Sequence, residues 1–288
     1  MEVITSKAKS ECLLFDMDDT LYPLSSGLNL ACRKNIQEYM LNHLHIEESL
    51  VPKMCLDLYK EYGTTMAGLK ALGYEFDNDD FHAHVHGRLP YETLKPDPVL
   101  RNLLLSMPQR KIIFTNADKA HVALVLSKLG LEDCFEGVIC FETLNPPLLA
   151  DKKKESTDPN SVKLSDDDFF TGSESEMDSP NCVDVKHMRH RSRILCKPLV
   201  EAIEAACQIA NVDPKRTIFF DDSSRNIASG KAVGLHTVIV GSSVLVPGAD
   251  IALESIHNIK AALPEIWEDV EQLESVVPSN AVEAVVLA

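Results

Sequence analysis

Short runs of consecutive apolar residues, each closed by polar groups, recur along two parts of this chain. The first is Cys12-Leu13-Leu14-Phe15, closed by an acidic cluster in FDMDDT. The same template returns at KIIFTNAD from Lys111, at TIFFDDSSRN from Thr217 and, with less polar punctuation, at TVIVGSS from Thr237; GVICFE from Gly137 is a fifth candidate. A short apolar run bounded by turn signals is the pattern of a parallel strand buried on both faces. Helical stretches lie between these runs, over 118–129, stopped by Gly130, and over 198–210, with Pro198 where a first helical turn accepts proline; Asp213-Pro214 opens a further short turn. Strands alternating with helices predict an α/β fold with a doubly wound, Rossmann-like parallel sheet.

Two segments break the alternation. Residues 21–95 read as consecutive amphipathic helices over 28–44, 49–62, 64–72 and 78–87, a small helical cap inserted after the first strand and suited to act as a lid. Residues 146–193 carry PP, KKK, DDD, SESE and HMRHRSR with few apolar positions, the composition of a disordered insertion whose charge blocks offer a protein partner a surface. The expected organisation is therefore an α/β core of 1–20 and 96–288, a cap of 21–95, and the 146–193 insertion within the core. The C-terminal NAVEAVVLA run is too short to anchor in a membrane and reads as a frayed or docked tail.

Charge narrows the classes of partner. The 288 residues carry a net charge of −16, which argues against general nucleic-acid binding and against an anionic membrane surface. No stretch reaches the ~20 apolar residues that span a bilayer, and MEVITSKAKSE lacks the apolar core of a signal peptide. Eight cysteines without an export signal read as reduced thiols, so a cytoplasmic or nuclear location is expected.

In an open α/β sheet, ligands bind in the crevice at the carboxyl ends of the strands. Asp16, Asp18 and Thr20 follow the first run as DxDxT; Thr115 and Asn116 end the second; Lys197 precedes the 198–210 helix; Asp221 and Asp222 end TIFFDD, with Asn226 four residues on. Each alone has an ordinary reading, as an Asx turn, an N-cap, a surface lysine or a solvated corner. Together, in this order, they fit one reaction. A phosphate monoester is a dianion, and a unit pair of charges at ~4 Å is worth about 4 kcal/mol at an effective dielectric near 20, so a carboxylate nucleophile needs positive charge beside it. A hard divalent cation on carboxylate oxygens and a lysine ammonium supply that charge, and Mg2+ suits oxygen ligands best.

The set resembles the haloacid dehalogenase-like hydrolase superfamily, over roughly 11–20 and 96–245, and the helical insert is similar to that superfamily's first cap class. Within it, FDMDDTLYP, YKEYGTTMAGL, LKPDPVLRNLL, FTNADKAH, CKP and FFDDSSRNI resemble the pyrimidine 5′-nucleotidase branch, the UMP phosphatase-like proteins of yeast and plants. The resemblance implies Mg2+ held by Asp16, the backbone carbonyl of Asp18 and Asp222, with Asp221 as an additional carboxylate. It implies Asp16 as nucleophile, forming an aspartyl-phosphate, and Asp18 as general acid and then base. Thr115, Asn116 and Lys197 would hold the transferring oxygens, Thr20 would shape the loop, and Asn226 would bond Lys197 or a metal-bound water. Asn226 stands where many relatives have a second Asp, and the 146–193 insertion is far longer than the usual link before the lysine.

Competing classes separate on the same residues. Carbon–halogen displacement needs neither a metal nor an acid at Asp18, so Asp18 with Asp222 favours phosphate. A receiver domain is shorter and lacks a cap. An interaction protein on a retired phosphatase core accounts only for the charged 146–193 loop. A closed cap pocket favours a small phosphorylated metabolite; the resemblance implies a pyrimidine nucleoside 5′-monophosphate, with other nucleoside monophosphates, pyridoxal phosphate or a sugar phosphate as alternatives. Lys60, Tyr62 and Gly68 are candidate base- or ribose-side contacts, against a plain packing role for the cap tyrosines. His82 and His86 would share a helix face from which His84 points away, which reads as ordinary cap residues rather than a metal site. Cys182, His187, His190 and Cys196 lack the close cysteine pair of a zinc quartet.

Overall fold

The structure is a computed structural model that describes residues 10–146 and 194–267. The expectations for the 146–193 insertion beyond Pro146, including Cys182, His187 and His190, and for the C-terminal run lie outside the described residues. Six parallel strands form one sheet in the order β3-β2-β1-β4-β5-β6. They are β1 (Cys12–Phe15), β2 (Arg110–Phe114), β3 (Gly137–Ile139), β4 (Thr217–Asp221), β5 (His236–Val240) and β6 (Ile251–Leu253). β1 pairs with β2 on one side and β4 on the other, so strand order reverses beside β1 and the chain opens a crevice where β1 and β4 end.

Both faces of the sheet are covered, which is why the strands read as unbroken apolar runs. Leu13 and Phe15 point into a cluster with Ile113, Phe220 and Val238, while Cys12 and Leu14 point into another with Ile112, Phe114 and Phe219. Phe15 and Phe220, register partners, stack with centroids 4.6 Å apart. Truncating either ring to Ala removes about 3–5 kcal/mol. The sheet is flanked by α5 (Pro98–Leu105), α6 (Lys119–Leu129), α7 (Phe141–Leu144), α8 (Val200–Ala210), α9 (Ser224–Val233) and α10 (Ile259–Ala262), and preceded by the insert helices α1 (Leu28–Asn42), α2 (Val51–Tyr62), α3 (Thr65–Ala71) and α4 (Asn78–Val85).

The insert helices lie where the pattern places them, within two residues at most ends. They gather a cluster of their own around Tyr39, Met40, Leu58, Leu69 and Phe81, which also takes in Phe141, Ile194 and Cys196 from the chain flanking the sheet. β6, α5 and α9 are not anticipated by the pattern. Pro198 does not open a helix: it follows a cis peptide after Lys197, and α8 begins at Val200 with Leu199 as its N-cap.

Candidate active site

Asp16 is the first residue beyond β1, and its backbone N–H donates to the Phe220 carbonyl at 2.8 Å, so its position is fixed by the β1–β4 pairing. One carboxylate oxygen accepts from Lys197 Nζ at 2.8 Å and the other from Thr20 Oγ1 at 3.2 Å. The turn is completed by Asp19 in the left-handed region, at φ 58°. Lys197 is 1% exposed and uses all three ammonium donors, on Asp16 Oδ1, on Asp221 Oδ2 at 2.8 Å and on the Phe114 carbonyl at 2.7 Å. Its backbone is pinned on both sides by Asn116, whose amide donates to the Lys197 carbonyl at 2.9 Å and accepts from its N–H at 2.8 Å.

Asp221 closes the opposite side. Its oxygens accept from Lys197, from the Ser223 N–H at 2.8 Å and from Asn226 Nδ2 at 2.9 and 3.1 Å. Asn226 therefore holds Asp221, not Lys197. Thr115, 1% exposed at the end of β2, accepts from the Ala117 N–H at 3.1 Å through Oγ1. Sequence-distant residues at four strand and loop ends thus meet in one crevice.

The electrostatics of that crevice are unbalanced. Asp16, Asp221 and Asp222 each offer an oxygen, all within 4.8 Å of one another. Burial pushes the Asp16 carboxyl well above its ordinary range despite the neighbouring Lys197 ammonium, with Asp221 and Asp18 adding to the rise. Lost solvation, then the charges of Asp16 and Asp221, raise Asp222 as well. One lysine does not neutralise three carboxylates. A further buried acceptor, Asp19 Oδ1, has no hydrogen-bond partner. Clustered oxygens carrying excess negative charge, beside an orphaned acceptor, are a donor set that fits a hard divalent cation such as Mg2+.

Asp18 faces another environment. Its Oδ1 accepts from Tyr22 Oη at 2.5 Å and from His121 Nε2 at 2.8 Å. Burial acts to raise its pKa, yet the His121 charge and these two hydrogen bonds hold it down at about 2. His121 in turn meets Tyr91 Oη through Nδ1 at 2.6 Å. The Tyr91 hydroxyl also lies 3.0 Å from the His86 carbonyl, so it ties His121 to the end of the insert. Asp118 caps α6 by accepting from the Ala120 and His121 N–H groups and takes a hydrogen bond from Nδ1 of His86, the C-cap of α4. Tyr22, Tyr91, Asp118 and His121 are absent from the candidates read in the sequence. His121 lies within FTNADKAH, and its place three residues after a helix-capping Asp is the one local signal that it faces the strand ends.

A cavity of about 280 Å3 opens above these groups, with Asp18, Asp19, Asn116 and His121 at its polar end. Its walls are largely apolar, including Leu28, Ile36, Met66, Val85 and Phe141, and Arg33 and Tyr59 also line it. Lys60, Tyr62 and Gly68 do not line it. Lys60 is exposed, and Tyr62 packs against the insert's own cluster. Gly68 is needed for close helix packing, since a Cβ there would lie 2.6 Å from Leu58 Cβ. His82 and His86 stack at 5.6 Å while His84 lies against Tyr39 and His43, as helical spacing requires. Among the described residues, the acidic, histidine or cysteine side chains gathered closely enough to hold a metal ion are Asp16, Asp221 and Asp222.

The insert is fastened to the sheet beside Lys197. Gly63, at φ 88°, places its Cα where a Cβ would lie 2.3 Å from the Lys197 carbonyl oxygen. Arg225 on α9 donates to the Tyr59 and Lys60 carbonyls at the end of α2 and lies over the Tyr59 ring. Gly63→Ala should cost roughly 2–4 kcal/mol, from left-handed strain plus overpacking. It should also lower kcat by displacing the lysine segment; chemical denaturation alongside turnover checks both, and an unchanged midpoint would remove this account of the contact.

No family model matches the chain. A curated yeast protein from Saccharomyces cerevisiae, phosphate metabolism protein 8, is 28% identical over 132 residues, 43% of this chain and 41% of that protein. The match thus spans about two-fifths of the relative's length. Among solved structures, the magnesium-bound HAD hydrolase YfnB from Bacillus subtilis is 16% identical with a TM-score of 0.48, covering 88% of this chain and 98% of its own. A HAD phosphatase from Thermococcus onnurineus is 14% identical with a TM-score of 0.47, over 87% and 96% of the two chains. The L-2-haloacid dehalogenase of Xanthobacter autotrophicus is 13% identical with a TM-score of 0.46, over 88% and 97%. Among the described residues no helix is long and apolar enough to cross a membrane.

Proposed function

We propose that this chain is a Mg2+-dependent phosphomonoester hydrolase of the haloacid dehalogenase-like superfamily, working through an aspartyl-phosphate on Asp16. The observation that carries the reading is the buried Lys197 ammonium, 2.8 Å from both Asp16 and Asp221, beside three carboxylates whose oxygens lie within 4.8 Å. Such a crevice repels a phosphate dianion unless further positive charge is supplied. Asp16, Asp222 and the Asp18 carbonyl would hold Mg2+, with Asp221 beside them, and the cation would neutralise charge on the transferring group. Asp16, held by Thr20 and Lys197, attacks phosphorus. Lys197 and the Thr115 segment stabilise the equatorial oxygens. Asp18, ionised in the free site, takes up a proton as the phosphate dianion enters beside it, gives that proton to the leaving oxygen and then takes one from the hydrolytic water. The name of the yeast relative, which ties that protein to phosphate metabolism, is in keeping with this reading.

For substrate we propose a small phosphorylated metabolite, and specifically a pyrimidine nucleoside 5′-monophosphate. The cavity size and its apolar walls beyond a polar end suit a compact leaving group with a planar body. Phosphate release should be measured from UMP, CMP, purine nucleotides, pyridoxal phosphate and sugar phosphates, with Mg2+ and with EDTA. Pyrimidine nucleotides should be preferred, chelator should abolish turnover, and added Mg2+ should restore it. Undiminished turnover in chelator would contradict the mechanism, and preference for a sugar phosphate would contradict the substrate.

A further inference from the structure

His121 is 3% exposed, and both its ring nitrogens are engaged although the superfamily reading gives it no task. Nδ1 is hydrogen-bonded to the Tyr91 hydroxyl at 2.6 Å, that hydroxyl also lies 3.0 Å from the His86 carbonyl, and the His121 backbone N–H is bound by the Asp118 cap. The ring is stacked on His86 at 4.5 Å, so it cannot swing without breaking contacts to two neighbours. What this rigid ring presents to the cavity is Nε2, 2.8 Å from Asp18 Oδ1 and 103 residues away in sequence. Tyr22 grips the same oxygen from the β1 side. Among the described residues, no hydrogen bond is made to the other oxygen, Oδ2. A carboxyl held by one oxygen in this way can carry a proton on the other, once the phosphate dianion has raised its affinity for one, and present it in one orientation to a leaving group.

We propose that His121, set by Tyr91, Asp118 and His86, is a positioning residue that fixes the Asp18 carboxylate for proton transfer to the leaving oxygen. This rests on the phosphatase reading above and adds a residue to it. His121 does not touch the phosphorus or the leaving group; it acts through Asp18. Misplacing a catalytic group by about 1 Å costs roughly 10²-fold, and general acid assistance matters most where the leaving group is a poor one.

The test compares two variants on two esters. His121→Asn keeps an amide partner for Tyr91 but has no donor at the Nε2 position; His121→Gln keeps a donor near the Nε2 position. Each is assayed for kcat and KM with an alkyl phosphate, whose leaving alcohol needs a proton, and with p-nitrophenyl phosphate, which leaves without one. The Asn variant should lose roughly 10²-fold in kcat on the alkyl ester and only a few-fold in the phosphoenzyme-forming step on the aryl ester. KM should stay near the parent value, and the Gln variant should recover most of the loss. Tyr22→Phe, which removes the other bond to Oδ1, should shift the same ratio in the same direction even if His121→Asn fails to fold. Equal losses on both esters in the variants that fold, or no loss in any, would overturn the proposal. A parent enzyme that hydrolyses neither ester would overturn the phosphatase reading and this inference with it, and the parent assay alone identifies that case.

Discussion

Asp16→Asn should reduce turnover by on the order of 10⁵–10⁶-fold, the scale seen when a nucleophile is removed from a covalent mechanism. The substitution keeps the shape of the side chain and can still accept from Lys197 or Thr20, so the local fold should survive. What it removes is the attacking charge and one of the three acidic oxygen donors gathered within 4.8 Å. Asp18→Asn is expected to behave differently. Its backbone carbonyl is untouched and Tyr22 and His121 can still hydrogen-bond the amide oxygen, but no proton can be delivered. The loss should be roughly 10²–10⁴-fold, the range for general acid–base assistance. Phosphate release under saturating substrate measures both, and an Asp16→Asn enzyme within tenfold of the parent would contradict the assignment.

Lys197→Met should have the largest effect on stability. The Met stem keeps the lysine's packing against Phe114 and Phe219, whose centroids lie 4.9 and 5.5 Å from Nζ. What disappears is the cation between Asp16 and Asp221, and stripping one partner from a buried ion pair costs about 3–5 kcal/mol. The loss depends on pH in a definite direction. Burial already pushes the Asp16 pKa up against the pull of Lys197, so removing the lysine pushes it further. A carboxyl whose folded pKa stands above its unfolded value contributes stability that is full below the unfolded value and lost as pH rises through the folded one. The deficit relative to the parent should therefore be smallest near pH 5 and grow toward pH 8. Denaturant unfolding in chelator at both values reads it directly. Equal midpoints for parent and variant at pH 8 would show that the ammonium does not balance these carboxylates.

Much of this site was legible because its acids fall where apolar runs stop. Asp16 and Asp221 each end a run whose partners are parallel strands, and the rules of open sheets put such ends in one crevice. The insert helices were legible from where their apolar positions fall, and the divergence of His84 from His82 and His86 followed from helix geometry alone. α9 was not, because only one of the positions that SRNIASGKAV buries, Asn226, Ile227 and Gly230, carries an apolar side chain. It is held by packing: a Cβ on Gly230 would come within 2.8 Å of the Phe219 ring. β6 has three residues, too few for any pattern to repeat.

The cap contacts came from the likeness of YKEYGTTMAGL to a nucleotidase cap, and Lys60, Tyr62 and Gly68 do not line the cavity, which α2 meets through Cys55, Leu56 and Tyr59. The His121–Asp18 contact was illegible for the opposite reason. Neither residue's neighbours mark the pairing, which exists only once α6 caps on Asp118 and α4 docks beside it. Asn226 shows the same limit. Its place after β4 marks it as part of the site, while only the fold shows that it serves Asp221 rather than Lys197.

The central claim is that phosphoryl transfer passes through Asp16. Brief exposure of the Asp18→Asn enzyme to p-nitrophenyl phosphate, with acid quench and fragmentation mass spectrometry of the peptide spanning Phe15–Thr20, tests it directly, because this leaving group needs no proton and only the second step is slowed, so any phosphoenzyme accumulates. The account predicts one phosphoryl group, carried on the Asp16 side chain and absent when Asp16 is Asn. Phosphate on Asp19 or any other side chain, or rapid turnover by this variant without any adduct, would contradict it.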